Sequence, residues 1–407
     1  MPKDSPGGGA VLLDRRTPPH VLTLVAMTSV AALNMNMVLP SLPSLARHYA
    51  AAYPVVALTV SAYLALTAVL QLLIGPLSDR YGRRPVLLVS FAIFLVATLG
   101  SMVAPNFAVF LAFRLAQAAV ASALVLSRAI VRDLVGPDRA ASLIGYVTMG
   151  MSLAPMVGPM IGGFLDEHFG WQSVFLFTLV AGAGVTALMW ADLGETNLAP
   201  SPSFGAQFRA YPELLRSRRF WGYSLAAALS SGAFFAYLGG APFVGTEVYG
   251  LEPGKLGVYF GAPAVGYVLG NFLSGRFSTR VGINRMVLWG CWTCGGGLLM
   301  SLIIMLSGLG SAETFFGFMA FVGAGNGMTI PNATAGALSV RPRLAGTASG
   351  LSGAIMLGGG AGLSALAGAM LTPGTGALPL LGLMLSTALL GWVAIMVVIW
   401  RERQLGL

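Results

Sequence analysis

Gly75-Pro76-Leu77-Ser78-Asp79-Arg80-Tyr81-Gly82-Arg83-Arg84-Pro85 is a knot of charge and turn residues between two apolar runs, Val55 to Ile74 and Val86 to Ala104. Each run has about the 20 residues that a helix needs to cross a bilayer. Asp79, Arg80, Arg83 and Arg84 can sit between such runs only if the chain leaves the membrane, turns in water or headgroups, and re-enters. A weaker copy lies two hundred positions on, in Gly270, Arg276, Arg280, Gly282 and Arg285, again between apolar runs. Arg80 and Gly82 correspond to Arg280 and Gly282, so the chain reads as two halves of one design.

The composition agrees. The 407 residues are 56% hydrophobic and 9% charged, whereas soluble domains carry about 25% charged residues. A water-soluble fold is excluded on that ground. The 54 glycines suit closely packed membrane helices. A net charge of +9 would point to nucleic acid only if it clustered on one exposed face. Here the basic residues fall in short loops, the pattern that orients a membrane protein. Cys291 and Cys294 form a CxxC spacing with no nearby His or further Cys, so no metal or redox site is expected. Nor does a nucleophile–base pair appear, and neither catalysis nor a cofactor is expected.

Twelve apolar spans are predicted, at 21–45, 55–77, 86–104, 107–131, 141–165, 171–192, 220–241, 256–277, 286–307, 314–338, 347–370 and 377–400. The expected fold is therefore an all-α membrane protein of twelve transmembrane helices in two pseudo-symmetric six-helix halves. Residues 1–20 form a polar N-terminal tail, 21–193 the first half, 194–219 a Pro-containing central loop, 220–400 the second half, and 401–407 a short tail. The apolar run beginning at Val21 is too long for a signal-peptide core and is read as a retained span. Placing both termini in the cytoplasm puts nearly all loop Arg and Lys inside, from Lys3 and Arg15 to Arg401 and Arg403. It leaves Arg47 and Lys255 outside with Asp166, Glu167, Glu247, Glu252 and Glu313, a strong positive-inside bias. The repeat extends to Leu39-Pro40 and Ala241-Pro242, which end spans 1 and 7. Six-plus-six parallel halves are the organisation of a transporter that rocks about a midplane site.

The opening loop matches the loop 2–3 signature of the major facilitator superfamily almost position by position. Arg114-Leu115-Ala116-Gln117 in span 4 resembles the RxxQ motif of twelve-span drug/proton antiporters. Gly158-Pro159-Met160-Ile161-Gly162-Gly163 in span 5 resembles their GPxxGG motif. Ser127 to Asp133 and Leu39-Pro40-Ser41-Leu42-Pro43 look like the Bcr/CflA-type multidrug resistance exporters. The resemblance implies an inner-membrane efflux transporter that works as a monomer by alternating access, with a small molecule as cargo, the bilayer as surroundings and protons as the expected counter-ion. It also implies that Gly75, Asp79, Arg80, Gly82, Arg83 and Arg84 form a gate latch, with Arg128, Arg132 and Asp133 completing a charge network, and that the span 5 motif limits leak.

These positions have physical sense of their own. Gly75 and Pro76 are expected to end a helix, and Gly82 to permit a turn that other residues resist. Asp79 would face the start of span 11 near Gly346, whose partial positive end attracts a carboxylate; the alternative is that these charges only fix topology. Gly158, Pro159 and Gly162 let a neighbouring helix approach and bend the span, and close packing alone accounts for them. Arg114 lies roughly 12 Å into span 4 at 1.5 Å per residue, and Asn34 and Asn36 reach a similar depth from the other side. A cation there normally faces a cavity with a partner. Arg114, Gln117, Asn34 and Asn36 are thus the candidate midplane site, unless Arg114 merely snorkels outward. Tyr63, Tyr237 and Asn326 are further candidates for the cavity wall, and Met149, Met151, Met156, Phe234 and Phe235 for an adaptable apolar lining.

One departure from the family pattern matters. Drug/proton antiporters of this type commonly carry a carboxylate in span 1 just before the LP turn, and Asn36 stands there. No Asp or Glu is placed deep within any span, whereas an intramembrane proton relay ordinarily needs Asp, Glu or His. Three readings stay open: protons pass through edge carboxylates such as Asp133 or Glu313, or through the cargo; coupling is absent, giving facilitated transport or uptake of a specific neutral or anionic metabolite; or Arg114 serves an anionic ligand. The sequence does not decide among them, but it argues against a strongly cationic drug as the main cargo.

Overall fold

A computed structural model describes residues 11–134, 147, 154, 157–197, 211–341, 344–372, 374–404 and 406. The side chains of Arg132, Tyr211, Thr279 and residues 345–347 are not described, and Met149, Met151 and Met156 lie outside the described residues. Every described regular element is a helix. Among the described residues ten helices are long and apolar enough to cross a membrane. Span 10, Ala312–Ser339, adds a 28-residue helix, and 157–169 is the helical part described for span 5. Val96, Val180, Phe272, Trp292, Leu306 and Trp400 point outward unburied, as a lipid-facing belt requires.

Prolines and glycines decide where the spans bend. Span 1 is a helix over Val21–Asn36, a 3₁₀ turn at Leu39–Ser41 and a helix over Leu42–His48. Pro40 and Pro43 lack the N–H that a continuous helix would need. Span 2 comprises Tyr53–Val56 and Leu58–Tyr81. Here the expectation for Gly75 and Pro76 is corrected: the helix runs straight through both and ends six residues later at Gly82. A membrane helix tolerates proline because neighbouring groups re-satisfy the freed backbone. Gly82 has φ +95° and, at the corresponding loop of the second half, Gly282 has φ +88°. Both caps use the region that favours glycine, so the repeat read from the sequence is present in the backbone.

The remaining spans are Arg83–Met102 (span 3), Phe107–Leu134 with a 3₁₀ stretch at Gln117–Ala121 (span 4), Trp171–Asp192 (span 6) and Arg218–Val248, ending in a π-helical turn (span 7). Then come Pro253–Val281 with a break at Phe260 (span 8), Ile283–Leu306 (span 9), Ala345–Met370 (span 11) and Leu378–Gln404 (span 12). Span 7 is central, with 89% of its apolar window buried, and span 6 is peripheral, with 28%. Spans 8 and 10 approach closely because Gly266 and Gly270 face Ala320 and Ala324, while Gly323 and Gly327 face Pro263 and Tyr267.

The starts of spans 1 and 7 and the ends of spans 6 and 12 define one side, here the terminal face; the loops after spans 1 and 7 lie on the distal face. The apolar core is divided accordingly. One cluster near the distal face joins the halves, with Leu39, Leu42, Phe110 and Trp171 from the first and Tyr237, Phe243 and Phe315 from the second. Toward the terminal face each half has its own cluster, around Leu24, Phe91 and Leu126 and around Phe220, Val287 and Ile395. Two described hydrogen bonds cross between halves, Tyr53 Oη to the Gly239 carbonyl at 2.9 Å and Gly254 N–H to Glu167 at 2.8 Å. Both are distal. Among the described residues the halves are closed together on that face.

Candidate functional site

Pro40 interrupts span 1 and leaves the helix over Val21–Asn36 with carbonyls that have no partner in the next turn. Arg114 answers one of them. Its Nη2 donates to the Asn34 carbonyl at 2.9 Å, and its Nη1 donates to Asn34 Oδ1 at 3.1 Å and Gln117 Oε1 at 2.7 Å. The guanidinium carbon sits 4.5 Å from the centre of the Tyr63 ring, where a π face attracts a cation. Asn34 Nδ2 donates to Tyr63 Oη at 3.1 Å, and Gln117 Nε2 to Thr98 Oγ1 at 2.9 Å. Spans 1, 2, 3 and 4 thus meet at one cation.

This network explains how Arg114 is held without a carboxylate. A helix C-terminus carries a partial negative charge that favours a cation, and two amide oxygens and a ring face supply the rest. Arg114 is 1% exposed, and its described hydrogen-bond partners all belong to the first half. Nε alone among its nitrogens is left without a partner.

Asn34, Gln117 and Tyr63 are brought to Arg114, but the other candidates are not. Asn36 lies past the face that Arg114 meets, and its Nδ2 donates to the Ala32 carbonyl of its own helix at 2.7 Å. Asn326 accepts from Ser230 Oγ at 2.8 Å, tying span 10 to span 7. Tyr237 is packed among Phe234, Phe260 and Phe316, with its hydroxyl unpartnered. Asn326 and Tyr237 belong to the second half and Asn36 to the first, so the described contacts join Asn34, Gln117 and Tyr63 to Arg114 and leave the other three apart.

The loop at the terminal face is a closed network. Arg83 forms ion pairs with Asp79 and, through Nε at 3.1 Å, with Asp133. The carboxylate of Asp79, expected to face span 11, is therefore taken by the next helix of its own half. Arg80 and Arg128 also have partners. A strap within the central loop, Glu195 to Asn197, completes the network. Glu195 accepts from the backbone N–H of Arg83 at 2.9 Å and of Arg84 at 3.2 Å, at the start of span 3. Asn197 Nδ2 donates to the Asp79 carbonyl at 2.8 Å, at the end of span 2, and Arg84 Nε donates to the Leu193 carbonyl at 2.7 Å. The second half closes in a related way: Glu402 at the end of span 12 accepts from Arg219 at 2.7 Å and from Asn284, near the start of span 9, at 2.6 Å. The signal available in sequence was an acid five residues before Pro200, which is too common to single out. Glu195→Ala should remove a two-bond helix cap and lower stability by about 1 kcal/mol, read as a lower thermal-unfolding midpoint in detergent. An unchanged midpoint would mean that the strap holds nothing.

The span 5 motif is wedged between two partners. Gly158 lies against Asn36 and Leu33, and Gly162 lies against the Met37 carbonyl, where span 1 breaks. Gly163 faces the other way, onto the Pro253 carbonyl of span 8, and Gly257 of span 8 packs on the Pro159 carbonyl. The motif therefore sits at the seam between halves, on the sealed face.

A bundle of apolar spans in two repeated halves, sealed on one face and separately cored on the other, defines a membrane transport protein. Residues 24–365 match the family described as Major Facilitator Superfamily, and the chain belongs to that family. Multidrug resistance protein D of Escherichia coli (strain K12) is 30% identical over 365 residues, covering 89% of this chain and 91% of that protein. The bicyclomycin resistance protein homolog of Haemophilus influenzae is 28% identical, covering 86% and 89%. An uncharacterized MFS-type transporter, YdgK of Bacillus subtilis (strain 168), is 35% identical over a shorter stretch, 60% of this chain and 62% of that protein. In structure the chain is similar to a bacterial homolog of the human lysosomal transporter Spinster, in an inward-facing and occupied conformation, with TM-score 0.69, 18% identity and coverage of 94% and 96%.

Proposed function

We propose that the protein exports small drug-like or metabolite molecules across a bacterial inner membrane by alternating access, in exchange for protons, with both termini in the cytoplasm. The observation that carries this reading is the seam. The antiporter-like glycine motif is packed into the sealed distal face, the position from which it would limit leak. Relatives named for bicyclomycin and multidrug resistance support drug-like cargo, and the basic loops of the terminal face support a cytoplasmic terminal side. Arg114 is read as the brace that keeps spans 1 to 4 moving as one body, and the loop around Asp79 as the terminal-side latch in its released form.

The test is flux of radiolabelled chloramphenicol and bicyclomycin in proteoliposomes, with and without an imposed pH gradient. Gradient-driven accumulation is expected. Equilibration that ignores the gradient would overturn antiport and leave facilitated transport of a metabolite. For the latch, Asp79→Asn should cut flux several-fold at normal membrane expression, because it removes one of the two carboxylates that Arg83 pairs with. Unchanged flux would reduce the loop to a topology signal.

A further inference from the structure

The chain enters span 1 through Thr17-Pro18-Pro19-His20, where the prolines lack the N–H groups that a longer helix would use. The segment before them is fixed all the same. Asp192, fully buried at the end of span 6, accepts from the backbone N–H of Leu13 and of His20, each at 2.9 Å, and from Thr23 Oγ1 at 2.6 Å. A buried carboxylate needs such donors. The Arg15 carbonyl packs on Gly194, where a Cβ would collide with it. Within the segment, the Val11 N–H donates to Thr17 Oγ1 at 3.1 Å and the Arg16 N–H to Asp14 Oδ1 at 3.0 Å. Leu13 has φ +68°, a left-handed conformation that strains any residue bearing a side chain.

This knot holds apolar side chains outward. Val11, Leu12 and Leu13 are 55%, 43% and 60% exposed, and Trp190, in the last turn of span 6, is 61% exposed. Arg15 lies over the Trp190 ring, 5.8 Å from its centre. In water, three consecutive outward apolar residues on a strained backbone would only lower stability; at the edge of a bilayer, lipid covers them. Tryptophan is enriched at the membrane–water interface, and arginine lays its stem on apolar surface while its head reaches the headgroups. Arg15 and Arg16 are exposed, and among the described residues neither has an ion-pair partner. Arg84 turns to the same corner, where its Nη2 donates to the Trp190 carbonyl at 3.2 Å.

We propose that residues 11–16 and Trp190 form a binding site for anionic phospholipid: Val11, Leu12 and Leu13 enter the acyl boundary, and Arg15 and Arg16 take a headgroup phosphate. The occupant is lipid rather than a soluble protein, because Trp190 continues the outward apolar surface that span 6 presents at Leu176 and Val180. Two exposed arginines select an anionic headgroup over a zwitterionic one. Asp192, buried out of reach of the lipid, pins the segment at the depth of the end of span 6, so the first half keeps one height in the leaflet. The site rests on the membrane-spanning fold and not on the cargo or the direction of transport.

The test uses the full chain in nanodiscs of mixed phosphatidylcholine and phosphatidylglycerol, with Cys291 and Cys294 replaced by Ala and a nitrobenzoxadiazole fluorophore on Leu12→Cys, an exposed position. Quenching by lipids that carry a nitroxide near the headgroup reports contact with the bilayer, and quenching by iodide reports contact with water. Lipid quenching is expected, stronger from labelled phosphatidylglycerol than from labelled phosphatidylcholine. Arg15→Gln and Arg16→Gln should each cut that preference about fivefold, the factor for about 1 kcal/mol per arginine near an anionic surface. Arg401→Gln with Arg403→Gln, at the end of span 12 on the same face, should leave it unchanged. A label quenched by iodide alone, which would leave the patch to a soluble partner, would overturn the proposal. So would a preference that survives both arginine substitutions or falls as far in the span 12 control. No cargo is added, so failure here is distinct from failure of drug flux.

Discussion

Arg114→Ala is expected to abolish drug flux and to destabilise the first half by about 3 kcal/mol, the sum of several orphaned acceptors and the space left by a fully buried side chain. The substitution strips the Asn34 carbonyl, Asn34 Oδ1 and Gln117 Oε1 of their donor at once and leaves Tyr63 facing a void. A single interhelical hydrogen bond in a membrane protein averages only about 0.6 kcal/mol. The larger figure is expected because one group serves four spans. Arg114→Lys should recover little. An ammonium is a compact point charge and cannot reach acceptors on spans 1 and 4 in the fork geometry of a guanidinium. Arg114→Met should separate the two contributions, keeping most of the volume while losing every donor. The measurements are thermal unfolding in detergent and flux in proteoliposomes. If Arg114→Lys transports normally, then charge alone suffices and the brace argued here is wrong.

The same site shows how far the residues could be read without coordinates. That Arg114, Asn34 and Gln117 share a depth follows from counting residues along straight helices, and the structure brings them together. Asn36 differs because depth along a helix ignores phase: two residues on from Asn34 its side chain points about 200° away, and its amide bonds back to Ala32 while Arg114 takes the Asn34 carbonyl. The amide at position 36 therefore does not stand in for a carboxylate opposite the arginine; helix dipole and ring face do that work. Gly82 was legible because a charged loop between two apolar runs must turn sharply, and its twin at Gly282 repeats the same backbone angles. Pro76 was misleading for a reason particular to membranes, where a proline inside a helix is tolerated. Glu195 and Glu167 were not legible as contacts. Each caps a helix brought near only by the packing of spans distant in sequence.

The span 5 glycines give the sharpest remaining expectation, because adjacent residues face different neighbours. A Cβ on Gly162 would overlap the Met37 carbonyl within the first half, whereas one on Gly163 would overlap the Pro253 carbonyl across the seam. Overpacking of this kind costs about 1–3 kcal/mol. In Gly162→Ala that cost falls on folding of the first half, so the unfolding midpoint should drop. In Gly163→Ala the halves can escape the clash by separating on the distal face, so the cost falls on the sealed conformation. About 2 kcal/mol is close to a 30-fold change in the ratio of two states. Gly163→Ala should therefore fold with a midpoint near that of the unmodified protein, yet release preloaded chloramphenicol from proteoliposomes without a pH gradient and lose most gradient-driven accumulation. A cysteine placed at Leu371, a buried position at the distal end of span 11, should become more reactive toward a water-soluble maleimide in the same variant. Equal losses of stability in the two variants, with no gain in leak or labelling for Gly163→Ala, would show that both glycines serve packing alone and that the motif has no part in the seal.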